Sequence, residues 1–140
     1  MSQRLAECHC GSVRLRCEGE PAKVSICCCI ACQRRTGSVF SAAVFFKRER
    51  VSVTGKTQTY ARPSASGFQV TFHFCPVCGS NPFWLPDRLP DRIGVAIGAF
   101  ADPNFQRPDQ AVWTKSRHAW LDLPSDMPCY EENPPPRPQG

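Results

Sequence analysis

Cys75-Pro76-Val77-Cys78-Gly79 and, far upstream of it, Cys8-His9-Cys10-Gly11 present four thiols in two pairs with the spacing of metal ligands. A C-P-x-C-G turn aims two sulfurs and several backbone N–H groups at one point, and its glycine takes a conformation that a side chain would obstruct. The C-x-C pair, if extended, puts both sulfurs on one side of the chain with Cα atoms about 6.5–7 Å apart. Together Cys8, Cys10, Cys75 and Cys78 make a closed tetrahedral set for a structural zinc with Zn–S of about 2.3 Å. The alternatives are four small buried hydrophobes or two separate disulfides, which these spacings serve poorly. Loop entropy grows only logarithmically with length, so closing the long gap between the pairs is affordable. The metal then clips the first part of the chain to its middle and adds folding free energy.

Working outward, a third cluster, Cys27-Cys28-Cys29-Ile30-Ala31-Cys32, has a different logic. In an extended segment Cys27 and Cys29 share a side while Cys28 faces away, and Cys32 comes back into reach as the chain turns. The natural set is Cys27, Cys29 and Cys32, three ligands with a fourth position open, as in catalytic zinc sites. Other readings are Cys28 as a fourth ligand, a redox C-x-x-C of Cys29 and Cys32, and an iron–sulfur site. Cys17 reads as a core thiol and Cys129 as a free, exposed one.

Ten cysteines among 140 residues mean disulfides outside the cell and metals or thiol chemistry inside it. Met1–Glu7 has no apolar h-region, and no apolar run approaches the ~20 residues that cross a bilayer. The expectation is a cytoplasmic protein with no membrane partner, its cysteines metal-bound. With 41% hydrophobic and 21% charged residues, one modest core is affordable in a chain of this length and a second is not.

Fourteen prolines argue against a helical fold. Ser12–Glu18 alternates Val13, Leu15 and Cys17 against Arg14 and Arg16, the period of a half-buried strand. Strands are also expected at Val39–Phe46, Arg50–Thr54, Gln69–Phe74, Ile93–Phe100 and Ala111–Thr114, with one short helix near Cys29–Thr36 stopped by Gly37. The chain is therefore mainly β. Residues 1–123 form the zinc-binding domain, and 124–140, which hold six of the prolines, form a disordered proline-rich tail.

The ordered set Cys8-His9-Cys10-Gly11-Ser12-Val13, Cys27-Cys28-Cys29-Ile30-Ala31-Cys32-Gln33-Arg34-Arg35-Thr36-Gly37 and Phe74-Cys75-Pro76-Val77-Cys78-Gly79 resembles the glutathione-dependent formaldehyde-activating enzyme (GFA) family. Gly98-Ala99-Phe100-Ala101-Asp102-Pro103 and Ser116-Arg117-His118-Ala119-Trp120 extend the resemblance over about residues 5–123. It implies an Mss4-like fold of small β-sheets stapled by two zinc ions per chain, on residues matching Cys8, Cys10, Cys75 and Cys78 and on residues matching Cys27, Cys29 and Cys32. It further implies a carbon–sulfur lyase-type activity, condensing glutathione with formaldehyde to S-hydroxymethylglutathione. Where the family commonly reads Cys-His-Cys, this chain has Cys27-Cys28-Cys29.

The resemblance implies a small thiol such as glutathione as the partner, and because coordination to zinc lowers a thiol's pKa, the Cys27, Cys29, Cys32 set is the expected catalytic centre. Glutathione carries two carboxylates, and Arg34 and Arg35, which follow Cys32 directly, are candidates to bind them. His73 and His118 are candidate proton carriers or structural histidines. Trp84, Trp113 and Trp120 read as core or pocket wall. The competing class is a non-enzymatic zinc module for protein or nucleic acid. Thirteen arginines against four lysines and a net charge of +5 favour it, but the arginines are scattered and no aromatic residues interleave them. Seven thiolates against two divalent cations would leave a loaded chain near +2, and no nucleic-acid partner is expected.

Overall fold

The alternation at Val13, Leu15 and Cys17 becomes β2 (Arg14–Glu18), with those three side chains essentially inaccessible and Arg14, Arg16 and Glu18 exposed. This computed structural model describes residues 2–135. Strand β2 is the centre of a small antiparallel sheet, flanked by β1 (Gln3–Glu7) and β5 (Val51–Thr54). A second sheet collects β3 (Lys23–Cys27), β4 (Ser41–Lys47), β6 (Gln58–Pro63), β7 (Gln69–Phe74), β8 (Phe83–Pro86), β9 (Arg92–Ala96) and β10 (Gln110–Val112). Its order is β10-β3-β4-β9-β8-β7-β6, antiparallel except for the parallel β10–β3 pair.

Side-chain alternation divides the large sheet between two jobs. Val44 and Phe46 of β4, with Ile93 and Val95 of β9, join Val13, Leu15 and Cys17 of the small sheet in one core. Burial pushes the Cys17 thiol up to about 12, against the pull of nearby Arg4, so this cysteine is a neutral core residue. Ala43, Phe72 and Trp84 form a separate apolar patch. The one α-helix among the described residues, α1 (Ile30–Thr36), starts where the Cys29 sulfur accepts the Cys32 N–H and ends at Gly37, whose φ of 71° no ordinary side chain favours.

Four strands, β1, β3, β6 and β8, are not among those expected from the sequence. β1 has one buried residue, Ala6; β3 is hidden beside the cysteine cluster; and β8 buries successive residues. The expected strand Ile93–Phe100 is a strand only to Ala96. Ile97–Phe100 winds into a 3-10 turn that ends at Ala101 in the left-handed region, and Phe100 packs on Phe46 and Phe105.

The proline-rich segment begins as a packed strap. Met127 is buried against Ile26, Cys28 and Ala111. Ala111 donates to Pro128 O and accepts from Tyr130 N–H, which makes a parallel bridge with Cys129, and Trp113 donates to Glu132 O. Pro124 and Pro128 are compatible with this because their carbonyls still accept, from the Met127 and Ala111 N–H groups. Cys129 itself is an exposed free thiol, as expected. The tail expectation for 136–140 lies outside the described residues. No helix of the described residues is long and apolar enough to cross a membrane.

Gly55 locks the small sheet to the first cysteine turn. It sits at φ 101°, and a Cβ there would lie 2.0 Å from Ser12 O. Gly55→Ala is therefore expected to lower stability by at least ~2 kcal/mol, read as a fall in the urea midpoint at unchanged slope.

Candidate metal centres and the adjoining cleft

The first cluster forms where two strands end. Strand β1 stops at Glu7 and β7 at Phe74, and each is followed by a turn of the same design. In one, Cys8 N–H bonds Val13 O and Gly11 N–H bonds Cys8 O; in the other, Cys75 N–H bonds Ser80 O and Gly79 N–H bonds Cys75 O. Gly11 and Gly79 both have positive φ, 80° and 78°. The C-x-C pair is thus a turn and not the extended segment expected from its spacing, because the Cys8–Val13 bond and Gly11 fold it back. His9 N–H donates to Ser80 Oγ at 3.1 Å and ties the two turns together.

The four sulfurs of Cys8, Cys10, Cys75 and Cys78 all lie within 4.8 Å of one another. Cys10 Sγ is 3.7 Å from Cys8 Sγ and 3.6 Å from Cys75 Sγ. A tetrahedron with Zn–S bonds of about 2.3 Å has S···S edges of about 3.8 Å, whereas a disulfide needs about 2.05 Å. The cluster fits a metal and no pair in it is bonded. Backbone N–H groups of Val13 and Cys78 point at the sulfurs of Cys8 and Cys75. The Ser80 hydroxyl and N–H hold the Cys78 thiol down at about 5. Such donors stabilise thiolate, the form a metal binds.

The second cluster rests on the end of β3. Cys27 is paired with Ser41 across the strands, while Cys28 falls beside Ile26 on the other face and is fully buried in the patch with Ala111 and Met127. Burial pushes the Cys28 thiol up. Cys29 caps α1, and Cys32 returns within its first turn. The sulfurs of Cys27, Cys29 and Cys32 again lie within 4.8 Å of one another, and Cys28 is not among them. Hydrogen bonds from the Cys27 and Cys32 thiols, with the Cys32 N–H, hold the Cys29 thiol down at about 2, while its partners push Cys27 far above the ordinary thiol range. Three thiols this close ionise together only beside a compensating cation, so the donor set suits zinc or another thiophilic divalent metal.

Cys29 also lies in the wall of a cleft of about 410 Å³, whose other walls include Arg62, Ser64, Trp113, Lys115 and Ser116. Trp113 is held in the left-handed region at φ 56°, an uncommon state for a bulky residue. Its indole N–H donates to Asn133 Oδ1 at 3.1 Å and its backbone N–H to Glu132 O, so the strap supports this wall. The Lys115 ammonium lies 5.0 Å from the Trp113 ring and pairs with Glu132. Arg62 lies 4.9 Å over Phe72 and favours the ionised Cys29.

Arg34 and Arg35 are not in this wall. Arg34 is exposed on α1, and Arg35 is turned inward to Asn81 and Ser41. The cations of the cleft come from Arg62 and Lys115, which no sequence motif marks and which the fold brings in from opposite ends of the large sheet. His118 Nε2 meets Gln33 Oε1 at 2.9 Å, and Gln33 Nε2 donates to Cys28 O and Ser116 O. With both amide hydrogens used, Gln33 can only accept from His118, which places the His118 proton on Nε2. His73 bonds Thr57 and stacks on Phe83 at 4.4 Å, and burial lowers its pKa, so its role is structural. Trp84 is core, and Trp120 is exposed with its ring edge-on to His118.

A sequence profile described as "Glutathione-dependent formaldehyde-activating enzyme" matches residues 3–116, a span that holds both cysteine clusters, and the chain belongs to that family. The fold is shared with a crystal structure of a Rhodobacter sphaeroides protein, at a TM-score of 0.56 and 23% identity, over 72% of this chain and 91% of that one. No curated protein matches the chain.

Proposed function

We propose that this chain is a zinc enzyme of the cytoplasm that adds a small anionic thiol, glutathione in the first instance, to formaldehyde. The observation that carries the reading is the trio Cys27, Cys29 and Cys32 converging within 4.8 Å, with Cys29 opening into a cleft walled by two cations. Zinc held by these three thiolates, with a fourth position open, would lower the pKa of an incoming thiol and present it as a nucleophile. The four-cysteine cluster serves as the structural zinc site.

In this scheme Arg62 and Lys115 take the substrate carboxylates, Arg62 as a planar fork and Lys115 as a point charge released from Glu132. Trp113 and Ile30 form the apolar wall that keeps the thiol end dry. The reaction forms one carbon–sulfur bond: the thiolate lone pair enters the carbonyl carbon, the C=O π electrons move to oxygen, and that oxygen takes up the proton the thiol gave up. Holding both reactants near 3 Å in the cleft supplies the proximity contribution.

The test is formaldehyde consumption and adduct formation, followed by NMR, above the spontaneous rate at the same glutathione concentration. Arg62→Ala is expected to raise KM for glutathione roughly tenfold, the loss of one charge-assisted contact. With 2-mercaptoethanol, which has no carboxylate, KM should not change. No enzyme-dependent rate with either thiol would remove the proposed reaction, and salt-sensitive binding to RNA or DNA would then support the zinc-module reading.

A further inference from the structure

Arg35 is a half-buried cation beside the second cysteine cluster, with its Nε fully buried. Its guanidinium lies 4.4 Å from the Phe72 ring centre and 4.7 Å from that of Trp84, on the apolar patch of the large sheet. One Nη donates to Asn81 Oδ1 and the other to Ser41 Oγ at 2.8 Å. No carboxylate pairs with it among the ion pairs of the described residues, and its buried Nε–H has no hydrogen-bond partner there. A partly buried charge without a counter-charge is costly, so its presence calls for a negative group nearby.

Three placements identify that group. Arg35 follows Cys32 by three residues on α1, so the two share a helix face. Ser41, which anchors one Nη, is the direct cross-strand partner of Cys27. Asn81, which anchors the other, follows the second turn of the four-cysteine cluster and is itself held by Phe83 O and His73 O. The guanidinium is thus anchored through Ser41 beside Cys27 and on the helix beside Cys32, and the Cys32 and Cys29 sulfurs are its electrostatic partners.

We propose that Arg35 is a positioning residue that balances the charge of the Cys27, Cys29, Cys32 site, so that three thiolates hold a divalent metal and still accept a fourth, anionic ligand. A divalent ion with three thiolates carries −1, and an added thiolate makes −2. Arg35 offsets one of these charges from a partly buried position, where screening is weaker than in open solvent. This rests on the reading of the trio as a metal site. It also gives Arg35 a role that excludes direct contact with substrate carboxylates.

The test uses full-length protein loaded with zinc, in wild-type, Arg35→Met, Arg35→Gln and Arg35→Lys forms, titrated with a chelator while released zinc and the melting transition are followed. Wild type should release zinc in two steps, the weaker from the trio. In the two neutral variants the weaker step should move to roughly 10–100-fold lower chelator concentration, with the tighter step in place. Arg35→Lys should recover most of that shift, because it keeps the charge and loses the fork and the stacking. Should Arg35→Met fail to fold, the Gln and Lys pair carries the same comparison. An unchanged weaker step in the neutral variants overturns the proposal, and so does a Lys variant as weak as the neutral ones, which would mark a packing role alone. A wild-type chain that releases only one zinc overturns the metal reading of the trio together with it.

Discussion

Cys75→Ser leaves a chain that no longer folds cooperatively. Cys75 is the buried member of the C-P-x-C-G turn, its sulfur 3.6 Å from that of Cys10, and its removal opens a closed set of four. Structural zinc contributes about 10–16 kcal/mol of apparent binding free energy in small zinc domains, while a whole domain is stable by only about 5–15 kcal/mol. The cluster also joins the end of β1 to the end of β7, two points that no strand pairing connects. Thermal unfolding followed by far-UV circular dichroism should lose its sigmoidal transition in Cys75→Ser. Cys129→Ser, at an exposed thiol away from both clusters, should melt like wild type. A cooperative Cys75→Ser transition within a few degrees of wild type would mean that the sheets hold without the metal.

Cys29→Ser separates chemistry from folding. Cys29 lies in the second cluster and in the cleft wall, so its loss removes one of three ligands and the one nearest the proposed substrate position. Its sulfur also caps α1 by accepting the Cys32 N–H at 3.3 Å, a role that a serine hydroxyl fills well. The variant should keep its melting transition, bind one zinc fewer per chain, and lose at least ~100-fold in thiol-dependent formaldehyde consumption, more than a supporting residue around a metal typically contributes. Near-wild-type turnover with the transition intact would place the chemistry elsewhere.

The parts of this molecule that local spacing determines are those a reader of the sequence can find. The two-residue alternation of β2 and β7, the stop of α1 at Gly37 and the three cysteine clusters all follow from neighbours a few residues apart. The parts that tertiary pairing determines are not visible in that way. Strand β3 is defined by the strands on either side of it, β8 buries consecutive residues and shows no period, and residues 124–133 become a strap because Ala111 offers a free edge. The same division runs through the site. Cys27 and Cys29 separate from Cys28 by simple strand parity and Cys32 returns with the helix turn, but Arg62, Trp113 and Lys115 arrive from β6 and from beyond β10. Arg35 sits beside the cluster in sequence and reads as a substrate contact, yet the helix turns it toward Ser41 and Asn81, and only the fold shows these partners.

Both metal readings meet in one measurement, the zinc content per chain of protein purified without added metal, by elemental analysis. The account predicts about two, one held by Cys8, Cys10, Cys75 and Cys78 and one by Cys27, Cys29 and Cys32. A chain that is folded and contains no zinc or other divalent metal would contradict it.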